Sequence, residues 1–328
     1  MRCISKKAVL ALCLFLSVLI TGCSKEVLKT EVYEQEQYNR SLYRGTLSAA
    51  GLCVTDTDVA LEGYSADPSL HAAGLFDIKD KKVLYASKIH ERLFPASTTK
   101  IMTAYVTLKY GNLEDTVTVG PNATQFAEDE QTCGLQTGDT VSLYDLLCGL
   151  LLYSGNDCAV AIAEHVAGSV EAFADMMNAE AVSLRATNTH FVNPHGLQDD
   201  NHYTTAYDLY LIFNACIKDQ RFMDIISKES YTGTLTSSDG SVRSEVWEAT
   251  NFYSQDLIPD PEGVQVIGGK TGTTDEAGSC VILYSKDSQS DPYISIIMGA
   301  GTKDLLYGQM SAMLSAGERP AAAAEAVD

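Results

Sequence analysis

Apolar residues run almost unbroken from Ala8 to Ile20, preceded by Arg2, Lys6 and Lys7. A cationic start followed by a short apolar stretch is the order of a secretory signal, and the run falls short of the ~20 apolar residues that a membrane helix needs. Residues 24–44 mix Glu, Lys and Tyr without an apolar face, which predicts a tether continuing to residue 69. Two apolar runs, 72–78 and 82–85, flank Lys79-Asp80-Lys81 and predict a hairpin. Residues 97–109 follow a helical pattern in which Ile101, Met102, Ala104, Tyr105, Val106 and Leu108 cover nearly the whole circumference, so the helix is expected to be buried. Further helices are predicted over 143–153, 158–166, 170–184 and 206–216. Strands resume at 264–268, 279–284 and 293–298. Strands from both ends of the chain with helices between them predict an α+β fold, one antiparallel sheet with an all-helical subdomain inserted into it. The boundaries expected are a signal peptide over 1–22, a tether over 23–69, a folded domain over 70–316 and a disordered Ala-rich tail over 317–328.

Leu19-Ile20-Thr21-Gly22-Cys23 resembles the lipobox of bacterial lipoproteins, which implies cleavage before Cys23, a lipid on its thiol and an extracytoplasmic protein held to the membrane. Loss of the three leading cations takes the formal charge from −20 to −23. No basic stretch opposes that charge, so nucleic acid is a poor partner. Cys53, Cys133, Cys148, Cys158, Cys216 and Cys280 form an even set whose pairing stays open. Cys148 and Cys158 sit among Leu and Ala, as small core residues do. No CxxC or His-rich ligand spacing occurs, so neither a metal nor a cofactor is expected.

Three short motifs carry the candidate chemistry. Ser97 and Lys100 stand three apart at a helix start, which puts both side chains on one face. A serine needs a base, and a lysine serves as one only when burial or a second cation makes its ammonium unfavourable. Ser154-Gly155-Asn156 falls at a break between helices, where a turn presents a hydroxyl beside an amide. Lys270-Thr271-Gly272-Thr273 follows a strand and is expected to line a sheet edge, with Gly272 admitting a substrate backbone. Each motif alone is weak: a Ser-x-x-Lys arises on the order of once by chance in such a chain, and the others are ordinary capping and turn sequences.

Taken in order, the three resemble those of the penicillin-binding serine acyltransferases. The longer segments Phe94-Pro95-Ala96-Ser97-Thr98-Thr99-Lys100-Ile101-Met102-Thr103, Ser154-Gly155-Asn156-Asp157, Asn193-Pro194-His195-Gly196-Leu197 and Lys270-Thr271-Gly272-Thr273-Thr274 resemble the low-molecular-weight D-alanyl-D-alanine carboxypeptidases, peptidase family S11. The resemblance implies a β-lactamase/transpeptidase-like fold and a carboxypeptidase that removes the terminal D-alanine from peptidoglycan stem peptides, with β-lactams as covalent inhibitors. It also implies roles: Ser97 as nucleophile, Lys100 as base, Ser154 as proton relay, Asn156 on the acyl side of the substrate, and Lys270, Thr271, Gly272 and Thr273 at its carboxylate. The amides of Ser97 and Thr273 become the oxyanion hole. His195 and His202 are expected to be structural.

Three departures shape the expectation. An arginine common soon after the last strand in the family is replaced by Lys303 as the nearest cation. The small β domain and C-terminal anchor of many relatives are not expected, and the lipid at Cys23 takes the anchor's place. No Glu-x-x-x-Asn follows Ser154-Gly155-Asn156, which argues against a class A β-lactamase and for slow penicillin release. An endopeptidase cutting D-Ala crosslinks and a non-catalytic wall-peptide-binding lipoprotein remain as alternatives.

Overall fold

The computed structural model describes residues 49 and 51–318. The expected signal peptide, Cys23, most of the tether and the end of the tail lie outside the described residues. The chain divides into units 1–51 and 52–328, and all the described helices and strands belong to the second.

The hairpin forms as expected: β1 (Ala72–Asp77) turns into β2 (Lys82–Ser87) with Lys81 at φ 57°. A 3₁₀ turn (Ala96–Thr99) leads into α1 (Lys100–Tyr110), so Ser97 lies one turn ahead of the α-helix rather than inside it. Then come β3 (Thr116–Thr118), β4 (Thr140–Ser142), α2 (Leu143–Cys148), α3 (Asn156–Ala167), α4 (Val170–Ser183), α5 (Ala206–Cys216) and α6 (Gln220–Ile226). β5 (Ser230–Thr236), β6 (Val242–Glu248), β7 (Val264–Thr274), β8 (Gly278–Asp287), β9 (Pro292–Ala300) and α7 (Lys303–Gly317) complete the order.

Strands β2-β1-β9-β8-β7 make one antiparallel sheet with β7 at its edge, and β3-β4-β5-β6 make a second. The first sheet is covered on both faces. Phe76, Ile282 and Ile296 enter one apolar cluster with α1 and α5, while Leu75, Val281, Leu283 and Ile297 enter another with Leu306, Met310, Met313 and Leu314 of α7. Because successive strand residues point to opposite faces, burial of both turns β8 and β9 into continuous apolar runs. Helix α1 runs through the core, with all of Ile101, Met102, Ala104, Val106 and Leu108 buried.

Several expectations need correction. The helix over 143–153 stops at Cys148 and continues as a π turn, Gly149–Tyr153, that ends on left-handed Ser154. The second sheet, α6 and α7 had no counterpart in the sequence reading. The tether gives way to packed chain well before residue 69: the Cys53 amide donates to Tyr210 Oη over 2.8 Å, Val59 bridges Ala86, and Tyr64 is buried. The folded chain likewise continues past 316, since α7 closes on Gly317. The strand expected to end at Gly268 runs on to Thr274. Its glycines bend it rather than end it: Gly268 sits at φ 153°, and a Cβ there would lie 1.9 Å from the Ile226 carbonyl. Among the described residues, no helix is long and apolar enough to cross a membrane.

Candidate active site

Three parts of the chain meet in one cavity of about 300 Å³, lined by Ser97, Ser154, Asn156, Thr271, Gly272 and Thr273 among others. The 3₁₀ turn brings Ser97, the turn after α2 brings Ser154 and Asn156, and edge strand β7 brings Lys270 through Thr273. Two of the turns are strained, with Ala96 at φ 47° and Ser154 at φ 70°. Left-handed non-glycine residues cost about 1–3 kcal/mol each and gather where function demands a set geometry. Gly272 sets the spacing between β7 and the serine. A Cβ on it would stand 2.8 Å from the Ser97 nitrogen and 2.9 Å from that of Thr98.

Lys100 is fully buried, and its Nζ lies 2.9 Å from Ser97 Oγ, 2.7 Å from Asn156 Oδ1 and 2.7 Å from the His195 carbonyl. The two carbonyl oxygens only accept. A neutral amine has two N–H bonds and one lone pair, so donating to both carbonyls leaves the lone pair for the Ser97 hydroxyl. Burial, and then the charge of Lys270, push the Lys100 ammonium well below its ordinary range. The neutral form is therefore the one this pocket favours.

Lys270 is 1% exposed and repeats the arrangement. Its Nζ donates to Ser154 Oγ and to the Thr271 carbonyl, both at 2.9 Å. Burial lowers it from 10.5 to about 7. Among the described residues neither amine has a carboxylate in salt-bridge range, so no anion holds their charge.

The structure brings together Ser97, Lys100, Ser154, Asn156, Lys270, Thr271, Gly272 and Thr273, all the described site residues expected from sequence. It also adds some that the sequence reading missed. The backbone carbonyl of His195, rather than its ring, reaches Lys100; burial depresses the ring to about 3. Gly196 makes that approach possible, since a Cβ there would lie 1.9 Å from the Ala96 carbonyl. His202 is held at about 4 by burial. Its Nδ1 accepts from the Val192 amide, so the neutral ring donates from Nε2 to Thr99 Oγ1 at 2.8 Å. Thr250 pairs with Thr271 at 2.6 Å, and Gln131 accepts from the Asn156 amide. Lys303, Leu306 and Tyr307 at the start of α7 complete the wall.

A family model described as D-alanyl-D-alanine carboxypeptidase, peptidase S11, matches residues 64–302. The chain belongs to this family. It is 34% identical over 297 residues to the D-alanyl-D-alanine carboxypeptidase DacC of Escherichia coli K12, a match covering 86% of this chain and 70% of the relative. It is 33% identical over 235 residues to the D-alanyl-D-alanine carboxypeptidase DacA of Haemophilus influenzae, covering 70% of this chain and 56% of the relative. The chain thus spans little more than half the length of some curated relatives. Among solved structures, the S96A mutant of the Streptomyces K15 DD-transpeptidase aligns with a TM-score of 0.71 at 26% identity, over 77% of this chain and 99% of that one. A D-alanyl-D-alanine carboxypeptidase from Mycobacterium tuberculosis H37Rv aligns at 0.69 and 27%, over 79% and 96%. The fold is accordingly the β-lactamase/transpeptidase-like α+β arrangement that the sequence implied.

Proposed function

We propose that this S11 family member is a serine carboxypeptidase that removes the terminal D-alanine from peptidoglycan stem peptides through an ester on Ser97. One observation carries the reading: two buried lysines without anionic partners each touch a serine hydroxyl inside one cavity. Burying an unpaired amine is costly, and a neutral amine beside a hydroxyl is what activates a serine.

In this scheme Ser97 Oγ attacks the carbonyl carbon of the D-Ala-D-Ala amide while its proton passes to Lys100. The amides of Ser97 and Thr273 stabilise the oxyanion, a type of contribution worth about 2.7–4 kcal/mol per donor elsewhere. The nearness of Gly272 to the Ser97 nitrogen supports that placement. The proton taken up by Lys100 passes through Ser154, hydrogen-bonded to Lys270, to the departing D-alanine nitrogen. The substrate's carboxylate faces Lys270, Thr271 and Thr273, with Lys303 as an exposed ammonium on the same cavity wall. Asn156 holds the acyl side, and water then cleaves the ester. A β-lactam suffers the same attack, but its ring nitrogen stays tethered after the amide opens, so the ester persists. The Arg2 to Cys23 sequence supports an extracytoplasmic, lipid-anchored location facing this substrate.

A pentapeptide ending in D-Ala-D-Ala, incubated with wild type and with Ser97→Ala, tests the activity. Free D-alanine should appear only with wild type; release by the variant would refute the serine route. Loss of mass from crosslinked dimers in preference to the pentapeptide would instead select an endopeptidase.

A further inference from the structure

Behind the cavity two thiols face each other with no role in the proposed chemistry. Cys133 and Cys158 are both buried, and their Sγ atoms lie within 4.8 Å of each other. The other described thiols turn elsewhere: Cys53 to the Asp77 carbonyl, Cys216 to the Ile101 carbonyl, Cys280 to the Ala277 carbonyl and Cys148 to Tyr144. Both facing sulfurs rest on the same two glycines. A Cβ on Gly149 would lie 2.8 and 2.9 Å from them, and one on Gly155 2.5 and 3.2 Å. The backbones that carry them are already fixed to one another. Asp157 accepts from the amides of Cys133, Leu135 and Cys158, and Gln131 accepts from the Asn156 amide.

We infer that Cys133 and Cys158 are a disulfide-forming pair, closed in the mature protein and tying the cavity wall at Gln131 to the start of α3 at Asn156. The inference rests on the extracytoplasmic reading, because such bonds persist in oxidising compartments. A metal ion is the competing occupant, and the site suits it poorly: the group offers three ligands, and both Asp157 oxygens already accept amides. The oxidant is a small-molecule or protein disulfide acting on the folding chain. One cysteine thiolate attacks it and releases a thiolate; the second cysteine then displaces the other half. Two thiols lose two protons and two electrons, and the oxidant becomes two thiols.

The test uses the full chain in two preparations, one secreted by cells and one reduced, denatured and refolded with oxidised glutathione. Each is alkylated under denaturing conditions and digested without reductant. A linked peptide containing Cys133 and Cys158 is expected in both, with Cys53, Cys148, Cys216 and Cys280 alkylated singly. Reduction should lower the melting temperature of the linked form by roughly 5–15 °C, given the 25-residue separation, and should leave Cys133→Ser unmoved. Alkylation of both cysteines in the refolded chain, or pairing of either with a different cysteine, overturns the inference. Linkage in the refolded chain alone overturns closure in the mature protein.

Discussion

Replacing Lys270 with methionine should stabilise the protein while disabling it. The side chain is buried, and burial takes its amine from 10.5 to about 7. A depression of that size means that the unfolded chain, whose lysine stays protonated, is favoured by about 4–5 kcal/mol at pH 7 and below. Methionine fills similar space without the charge. Against the gain stand two lost hydrogen bonds, to Ser154 and the Thr271 carbonyl, worth about 0.5–1.5 kcal/mol each. A net stabilisation of about 1–4 kcal/mol remains, or a melting temperature higher by roughly 2–15 °C. The sign with pH is fixed. Between about 7 and 10.5 the unfolded wild type binds a proton that the folded form has released, so wild-type stability rises across that window. The variant has no such contribution, and its advantage should be full below pH 7 and fade towards pH 10. Calorimetry of both proteins from pH 6 to pH 10 reads this directly, alongside acylation by labelled penicillin, which should fall by orders of magnitude. A variant less stable at pH 7, or an advantage that grows with pH, refutes the account of a buried unpaired amine.

Two further changes probe the same cavity. Asn156→Asp places a carboxylate 2.7 Å from Lys100 Nζ and favours its ammonium; the acid limb of the acylation rate should move to higher pH by a unit or more, and an unmoved profile would count against Lys100 as the base. Gly272→Ala sets a methyl 2.8 Å from the Ser97 nitrogen and 2.9 Å from that of Thr98; because these are backbone atoms, acylation should fall at least tenfold and the melting temperature should drop with it, whereas near-wild-type rates would show that β7 does not set the oxyanion geometry.

The segments that line the cavity were legible because three motifs, each weak alone, occur together in order and each fits a local conformation: Ser97 and Lys100 share a helical face at any helix start, and glycine at 272 signals close approach. The hairpin and α5 were legible too, since Lys79–Lys81 is polar between apolar runs and Thr205 caps its helix by accepting from the Asp208 amide. What escaped lay in tertiary context. β5 and β6 bury only alternate positions such as Gly233, Leu235 and Trp247, a weak period-2 signal interrupted by the turn at Asp239-Gly240. Helix α7 was readable, with Thr302 as cap and Leu306, Met310, Met313 and Leu314 at helical spacing, but the glycines within it mask the pattern. The His195 carbonyl carries no side-chain signal at all. Its contact with Lys100 arises only once Gly196 lets the loop meet Ala96.

If an uncharged Lys100 takes the Ser97 proton at neutral pH, mass spectrometry of the intact protein after brief exposure to penicillin, followed by peptide mapping, should find the acyl group on that serine and show its dependence on the amine. A single adduct on Ser97 is predicted for wild type and none for Lys100→Met, whose side chain keeps the bulk but has no basic lone pair. An adduct on another residue, or rapid labelling of Ser97 in Lys100→Met at pH 7, would contradict it.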